Sequence, residues 1–81
     1  MNREIQIKYR WLATEEASAK VLRWLVAEHD HVEFDQDIAI LLLDNSEFPL
    51  PSPVDGVVKT IMAESGDPID PDQVLAVVEM D

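Results

Sequence analysis

Near the start of the chain, Ile5, Ile7 and Tyr9 alternate with Gln6, Lys8 and Arg10. A hydrophobic period of two predicts a half-buried β-strand. Trp11 and Leu12 then lead into the polar stretch Ala13–Ser18, which predicts a loop. Ala19 to Glu28 is locally ambiguous. Thr14 suits an N-cap, Glu15 and Glu16 suit a first helical turn, and Ala17, Val21, Trp24 and Leu25 fall at helical spacing, so taken alone this stretch predicts a helix. Further on, the apolar run Ile38 to Leu43 enters Asp44-Asn45-Ser46, a polar and turn-prone hairpin tip. Pro49, Pro51 and Pro53 stand at alternate positions beyond it and cannot donate to a ladder, which predicts a strand at an edge or bend. Asp55-Gly56, between apolar stretches, predicts another turn.

A longer-range pattern decides the ambiguous stretch. Displaced by 37 positions, Lys20–Asp44 lies over Val57–Asp81 without a gap. Val21 meets Val58, Asp30 meets Asp67, Asp35 meets Asp72, Gln36 meets Gln73, Ala39 meets Ala76 and Asp44 meets Asp81. Apolar character is kept at Trp24/Ile61, Leu25/Met62, Val32/Ile69, Ile38/Leu75, Ile40/Val77 and Leu41/Val78. Repeats outrank local propensity. The second copy reads as β: Gly56–Met62 is rich in β-branched residues, Ser65–Pro68 is a turn, Pro71 interrupts any helix, and Val74–Val78 is a short buried strand. Ala19–Val26 is therefore expected to be a strand too. Two matching units, each too small to bury its apolar face alone, predict one all-β sandwich with approximate two-fold symmetry, spanning residues 1–81 as a single domain. Trp24, Leu25, Ile38, Ile40, Val58, Ile61, Leu75 and Val77 are its candidate core.

Composition narrows the function. At 81 residues there is room for one small domain. The absence of cysteine excludes disulfides, thiolate zinc sites and thiol nucleophiles. Six basic against seventeen acidic residues, a formal charge of −11, would repel nucleic-acid phosphates and anionic membranes; it favours solubility and a basic partner, although by itself a solvated acidic surface is the preferred reading. No apolar run approaches the ~20 residues that span a bilayer, and no signal-peptide pattern is present, so a cytoplasmic protein is expected, or one of the mitochondrial matrix in a eukaryote.

Several stretches together resemble the lipoyl and biotinyl carrier-domain family. Lys20–Asp30 is similar to the second strand and turn of lipoyl domains. Pro51-Ser52-Pro53-Val54-Asp55-Gly56-Val57-Val58 resembles the segment after their modified hairpin. Ser65-Gly66-Asp67-Pro68-Ile69 followed by Gln73-Val74-Leu75 resembles the close of both families. The resemblance runs from about Ile5 to Glu79 and implies a flattened β-barrel of two four-stranded sheets related by a quasi-dyad. It also implies a hairpin tip bearing Asp-Lys-Ala, whose lysine takes lipoate in amide linkage. Register from the Pro-Ser-Pro side sets Asp44 on that aspartate, Asn45 on the lysine and Ser46 on the alanine. A carboxamide nitrogen is delocalised into its carbonyl and does not attack an activated acyl group as an amine does. No lipoate or biotin is therefore expected on Asn45. Lys8, Lys20 and Lys59 are expected in or near strands away from the tip, and the Met-Lys-Met of biotinyl hairpins is absent. A second departure is His29, aligned with glycine in the family and with Gly66 in the repeat. If positive φ is needed there, histidine bears a backbone cost or the loop is remodelled.

Other candidate chemistry reads as surface. His29, His31, Glu33, Asp35 and Asp37 offer possible metal ligands, but their spacing is unspecific and an acidic turn with two surface histidines is the preferred interpretation. Asp67, Asp70 and Asp72 do not match a calcium-binding loop. No serine has a credible triad context, so an enzyme is not expected. The expectation is a lipoyl/biotinyl-like domain without its acceptor lysine, acting as a docking or regulatory module. The resemblance implies as partner a 2-oxo acid dehydrogenase component, a lipoate ligase or a carboxylase subunit. The alternatives are a true carrier domain, as a fragment or with its lysine replaced, and a small metal-responsive protein using His29 and His31.

Overall fold

The computed structural model describes residues 3–9, 19–70 and 72–81. Arg10, Trp11, the Ala13–Ser18 loop with its Thr14 N-cap, and Pro71 lie outside the described residues. All the regular structure described is β: β1 (Glu4–Ile7), β2 (Ala19–Trp24), β3 (His31–Val32), β4 (Asp37–Leu43), β5 (Ser46–Pro51), β6 (Gly56–Ile61) and β7 (Ala76–Met80). They form two antiparallel sheets, ordered β1-β7-β6-β3 and β2-β4-β5. The repeat thus overrides local helix propensity, and Ala19–Trp24 is a strand. It ends two residues before the expected Val26, at a bend.

The expected second sheet of four strands has three among the described residues, and the sheets do not close into a barrel. The fourth place is held by a single bridge, Lys20 to Pro68, with Val21 N donating to Asp67 O and Ile69 N to Ala19 O. Pro68 has no amide to extend that pairing.

The two-fold repeat is visible bond by bond. His29 N donates to Val58 O at 2.6 Å, and Gly66 N to Val21 O at 2.6 Å, 37 positions apart at both ends. Val58 N to Asp30 O repeats as Val21 N to Asp67 O, and Leu25 N to Ile38 O as Met62 N to Leu75 O. Side chains repeat too. Gln36 Oε1 accepts from Glu33 N as Gln73 Oε1 accepts from Asp70 N, and Asp30 Oδ2 from Ala27 N as Asp67 Oδ2 from Glu64 N. The retained Asp and Gln residues of the repeat therefore close its turns.

The core lies between the sheets and includes Ile7, Tyr9, Val21, Val32, Ile38, Leu41, Leu50, Val58, Leu75 and Val78. Tyr9 carries its hydroxyl into this core because it can donate to Ile69 O at 3.0 Å. Burial raises its pKa above the ordinary phenol value, with a smaller contribution from Asp70. Of the expected core, Ile38, Val58 and Leu75 are buried, and Trp24 and Ile61 pack against its margin. Leu25 is instead 47% exposed, at the bend after β2. Ile40 and Val77 turn to the outer face and are half-buried. In β4 a bulge between Asp37 and Ala39 puts Ile38 and Ala39 both inward, so alternation resumes with Leu41 and Leu43. Leu75, Ala76 and Val78 show the same slip. One inserted residue reverses the facing of everything after it.

Candidate functional site

The outermost point of the β4–β5 hairpin is a two-residue loop, Asp44-Asn45, closed by Leu43 facing Ser46. Leu41 and Leu43 anchor the hairpin by pointing into the core, while Asp44, Asn45, Ser46 and Glu47 are exposed. So tight a loop needs left-handed backbone, and Asp44 supplies it at φ 54°. Aspartate tolerates this region because its short polar side chain bonds locally. Ser46 already belongs to β5, so the polar tip is one residue shorter than expected.

The tip offers a carboxylate, a carboxamide and a hydroxyl, with no amine at Asp44, Asn45 or Ser46. The nearby amine is Lys20. It faces Leu42 across the β2–β4 ladder and lines a cleft of about 310 Å³ with Leu42, Asp44, Asn45, Gly66 and Pro68. Lys20 was expected away from the tip; the strand beside the hairpin runs alongside it and brings Lys20 close. The clue in the sequence was its place at the very start of the first repeat, but using it requires the strand pairing. Lys59 lies on β6 and pairs with Glu4, a hydrogen bond that, first of all, holds its ammonium pKa above the ordinary lysine value. Lys8 follows β1.

His29 takes φ 77°, and Gly66 at the matching place takes φ 91°. The loop is not remodelled: the backbone bonds on both sides are the same, and histidine adopts the glycine conformation. Asp55-Gly56 is not a hairpin turn, since β5 and β6 belong to different sheets. Asp55 Oδ1 accepts from Phe34 N at 2.7 Å, and Gly56 is required for closeness, because a Cβ there would stand 2.2 Å from Glu79 O.

The candidate metal residues do not converge. Among the described residues no group of three His, Asp or Glu side chains is placed to hold an ion. His31 Nε2 lies 2.9 Å from Asp81 Oδ2, and that hydrogen bond is the main cause of an imidazole pKa raised above its ordinary value. In the second acidic stretch Asp67 Oδ2 accepts from Glu64 N at 3.0 Å, and Asp70 N donates to Gln73 Oε1 at 3.2 Å.

A search of the curated proteins found no match. The biotin/lipoyl family model, described as "Biotin-requiring enzyme", matches residues 6–78. That span takes in the hairpin, the first half of the repeat, the second half as far as Val78 and at least part of every strand, and the chain belongs to the biotin/lipoyl carrier-domain family.

Proposed function

We propose that this domain keeps the carrier fold without carrying a swinging arm, and works through its surface as a docking or regulatory module. The observation that supports this reading is the exposed two-residue hairpin loop Asp44-Asn45, which holds no amine; in this reading Asn45 stands where the family has its acceptor lysine. An amide bond to lipoate or biotin needs a nucleophilic amine, and a carboxamide does not supply one. Domains of this family meet partner enzymes as carriers rather than as catalysts, so the proposed partner is a protein that handles such domains. A 2-oxo acid dehydrogenase component, a lipoate ligase and a carboxylase subunit are the candidates.

The direct test is Asn45→Lys with a lipoate ligase and a cognate lipoyl domain as positive control. Gain of one lipoyl adduct on the new lysine is expected. A ligase that modifies the control and ignores the variant would reject either the register at the tip or the recognition surface around it.

Lys20 supports a second reading, a working carrier with its acyl group on β2. Its Nζ would attack the carbonyl carbon of an acyl-adenylate, AMP would leave with the bonding electrons, and the nitrogen would release a proton to solvent. Intact mass of the protein from its own host separates the two. The bare mass favours the non-acceptor, whereas an adduct mapped to Lys20 favours the carrier.

A further inference from the structure

β1 and β5 are the outer strands of their sheets and hold equivalent places. Ile5 faces Val78 as Phe48 faces Leu41, Gln6 faces Val77 as Pro49 faces Ile40, and Ile7 faces Ala76 as Leu50 faces Ala39. Their free edges differ. On β5 the outward positions include Pro49 and Pro51, which have no N–H and block strand addition. On β1 the matching positions are Gln6 and Lys8, which keep theirs. Met80 N donates to Arg3 O at 2.7 Å and Leu75 N to Ile7 O at 2.8 Å, so the odd residues bond inward to β7. Strict alternation then turns the N–H and C=O of Glu4, Gln6 and Lys8 outward, where no strand lies among the described residues.

We propose that β1 is a self-pairing edge, joining two copies of this chain antiparallel about Gln6 into one continuous sheet. This register sets Gln6 opposite Gln6 of the second copy and satisfies the outward groups of residues 4, 6 and 8 on both chains. It sets Glu4 opposite Lys8 of the second copy, twice. Charges usually guard an edge strand, but opposite signs placed symmetrically about the centre complement each other. Ile5 falls opposite Ile7 of the second copy. Beside β1, Ile5, Phe34, Pro51 and Pro53 line an apolar groove of about 360 Å³, and Phe34 is 68% exposed. The added strand covers that groove.

The charge of −11 on each copy opposes association in general, and the location of β1 answers this objection. Arg3 and Lys8 flank β1, and Glu4 is the single acid within residues 3–9. Repulsion between the more distant acidic surfaces is screened beyond about 8 Å at physiological salt.

Sedimentation velocity of the full chain across about 1 µM to 1 mM, the range of weak to moderate association, tests this. A species of twice the 9.2 kDa chain mass is expected at the upper end. Gln6→Pro copies what β5 already has at Pro49 and removes the central outward donors while leaving the bonds to β7. It should give a folded monomer, judged by unchanged circular dichroism. Lys8→Glu should weaken the dimer at least about fivefold by turning two favourable cross-strand pairs repulsive, and Glu4→Lys with Lys8→Glu should restore it when Lys59→Glu keeps the pair that Glu4 makes within its own chain. A monomer at every concentration overturns the proposal. So does a dimer indifferent to a folded Gln6→Pro. If that variant does not fold, failure of the charge exchange to restore pairing overturns it equally.

Discussion

The left-handed backbone at His29 allows a mirror experiment within one molecule. His29 and Gly66 occupy matching turns at φ 77° and 91°, each donating its N–H 2.6 Å to the partner half. A non-glycine residue in this region costs about 1–2 kcal/mol, with histidine at the low end because it is enriched there. His29→Gly relieves that cost but loosens the unfolded chain, which takes back about 0.4–1 kcal/mol. The net expectation is a stabilisation of about 0.5 kcal/mol. Gly66→Ala runs the other way: its Cβ would meet nothing within 4 Å, so backbone strain alone acts and a loss of similar size is expected. Urea unfolding followed by tryptophan fluorescence measures both, and the opposite signs should separate the midpoints of heat unfolding by about 4–8 °C. If His29→Gly instead destabilises while Gly66→Ala is neutral, the imidazole makes stabilising contacts and the argument from backbone strain is wrong.

Gly56→Ala should be far more costly, since its Cβ would collide with the Glu79 carbonyl in the β6–β7 ladder. A loss of about 3 kcal/mol, at the upper end of overpacking effects, or outright failure to fold is expected in denaturant titration; a loss under about 1 kcal/mol would refute the packing there. The His31–Asp81 pair makes stability depend on pH. Because its folded pKa is raised, the contribution is complete below the ordinary imidazole value near 6.5 and is lost as pH rises through the folded value. Asp55 and Glu33 reinforce the shift. The stability difference between wild type and His31→Gln should therefore shrink from pH 6 to pH 8, and a constant difference would remove His31 as its source.

The repeat was legible because the residues kept in it are those that close turns or fill the core: Asp30 and Asp67, Gln36 and Gln73, Val21 and Val58. It correctly overruled a helix that Val21, Trp24 and Leu25 suggest locally, since packing of a shared face decides where propensity is weak. Strand facing was less legible. A bulge inserts one residue without a characteristic sequence sign, so Ile40 and Val77 read as core while Leu41 and Val78 fill it. Gly56 looked like a turn glycine, and its actual role depends on a backbone met across the sheet. The tip Asp44-Asn45 could be located from the apolar run before it and the prolines after it. Its neighbour Lys20 could not, because adjacency in a sheet depends on which strands pair.

The paired bonds between the halves also bear on how the chain folds. His29 and Asp30 of the first half grip Val58 of the second, and Gly66 and Asp67 of the second grip Val21 of the first. Each half lends its turn to the other half's strand, like two hands clasping opposite wrists. β3 of the first half edges the sheet of β6 and β7, Pro68 of the second bridges to β2, and every clasping bond closes a loop of tens of residues before any reward is felt. Such a topology leaves a half-folded chain little to rest on, and the expected behaviour is a single unfolding transition shared by circular dichroism and tryptophan fluorescence.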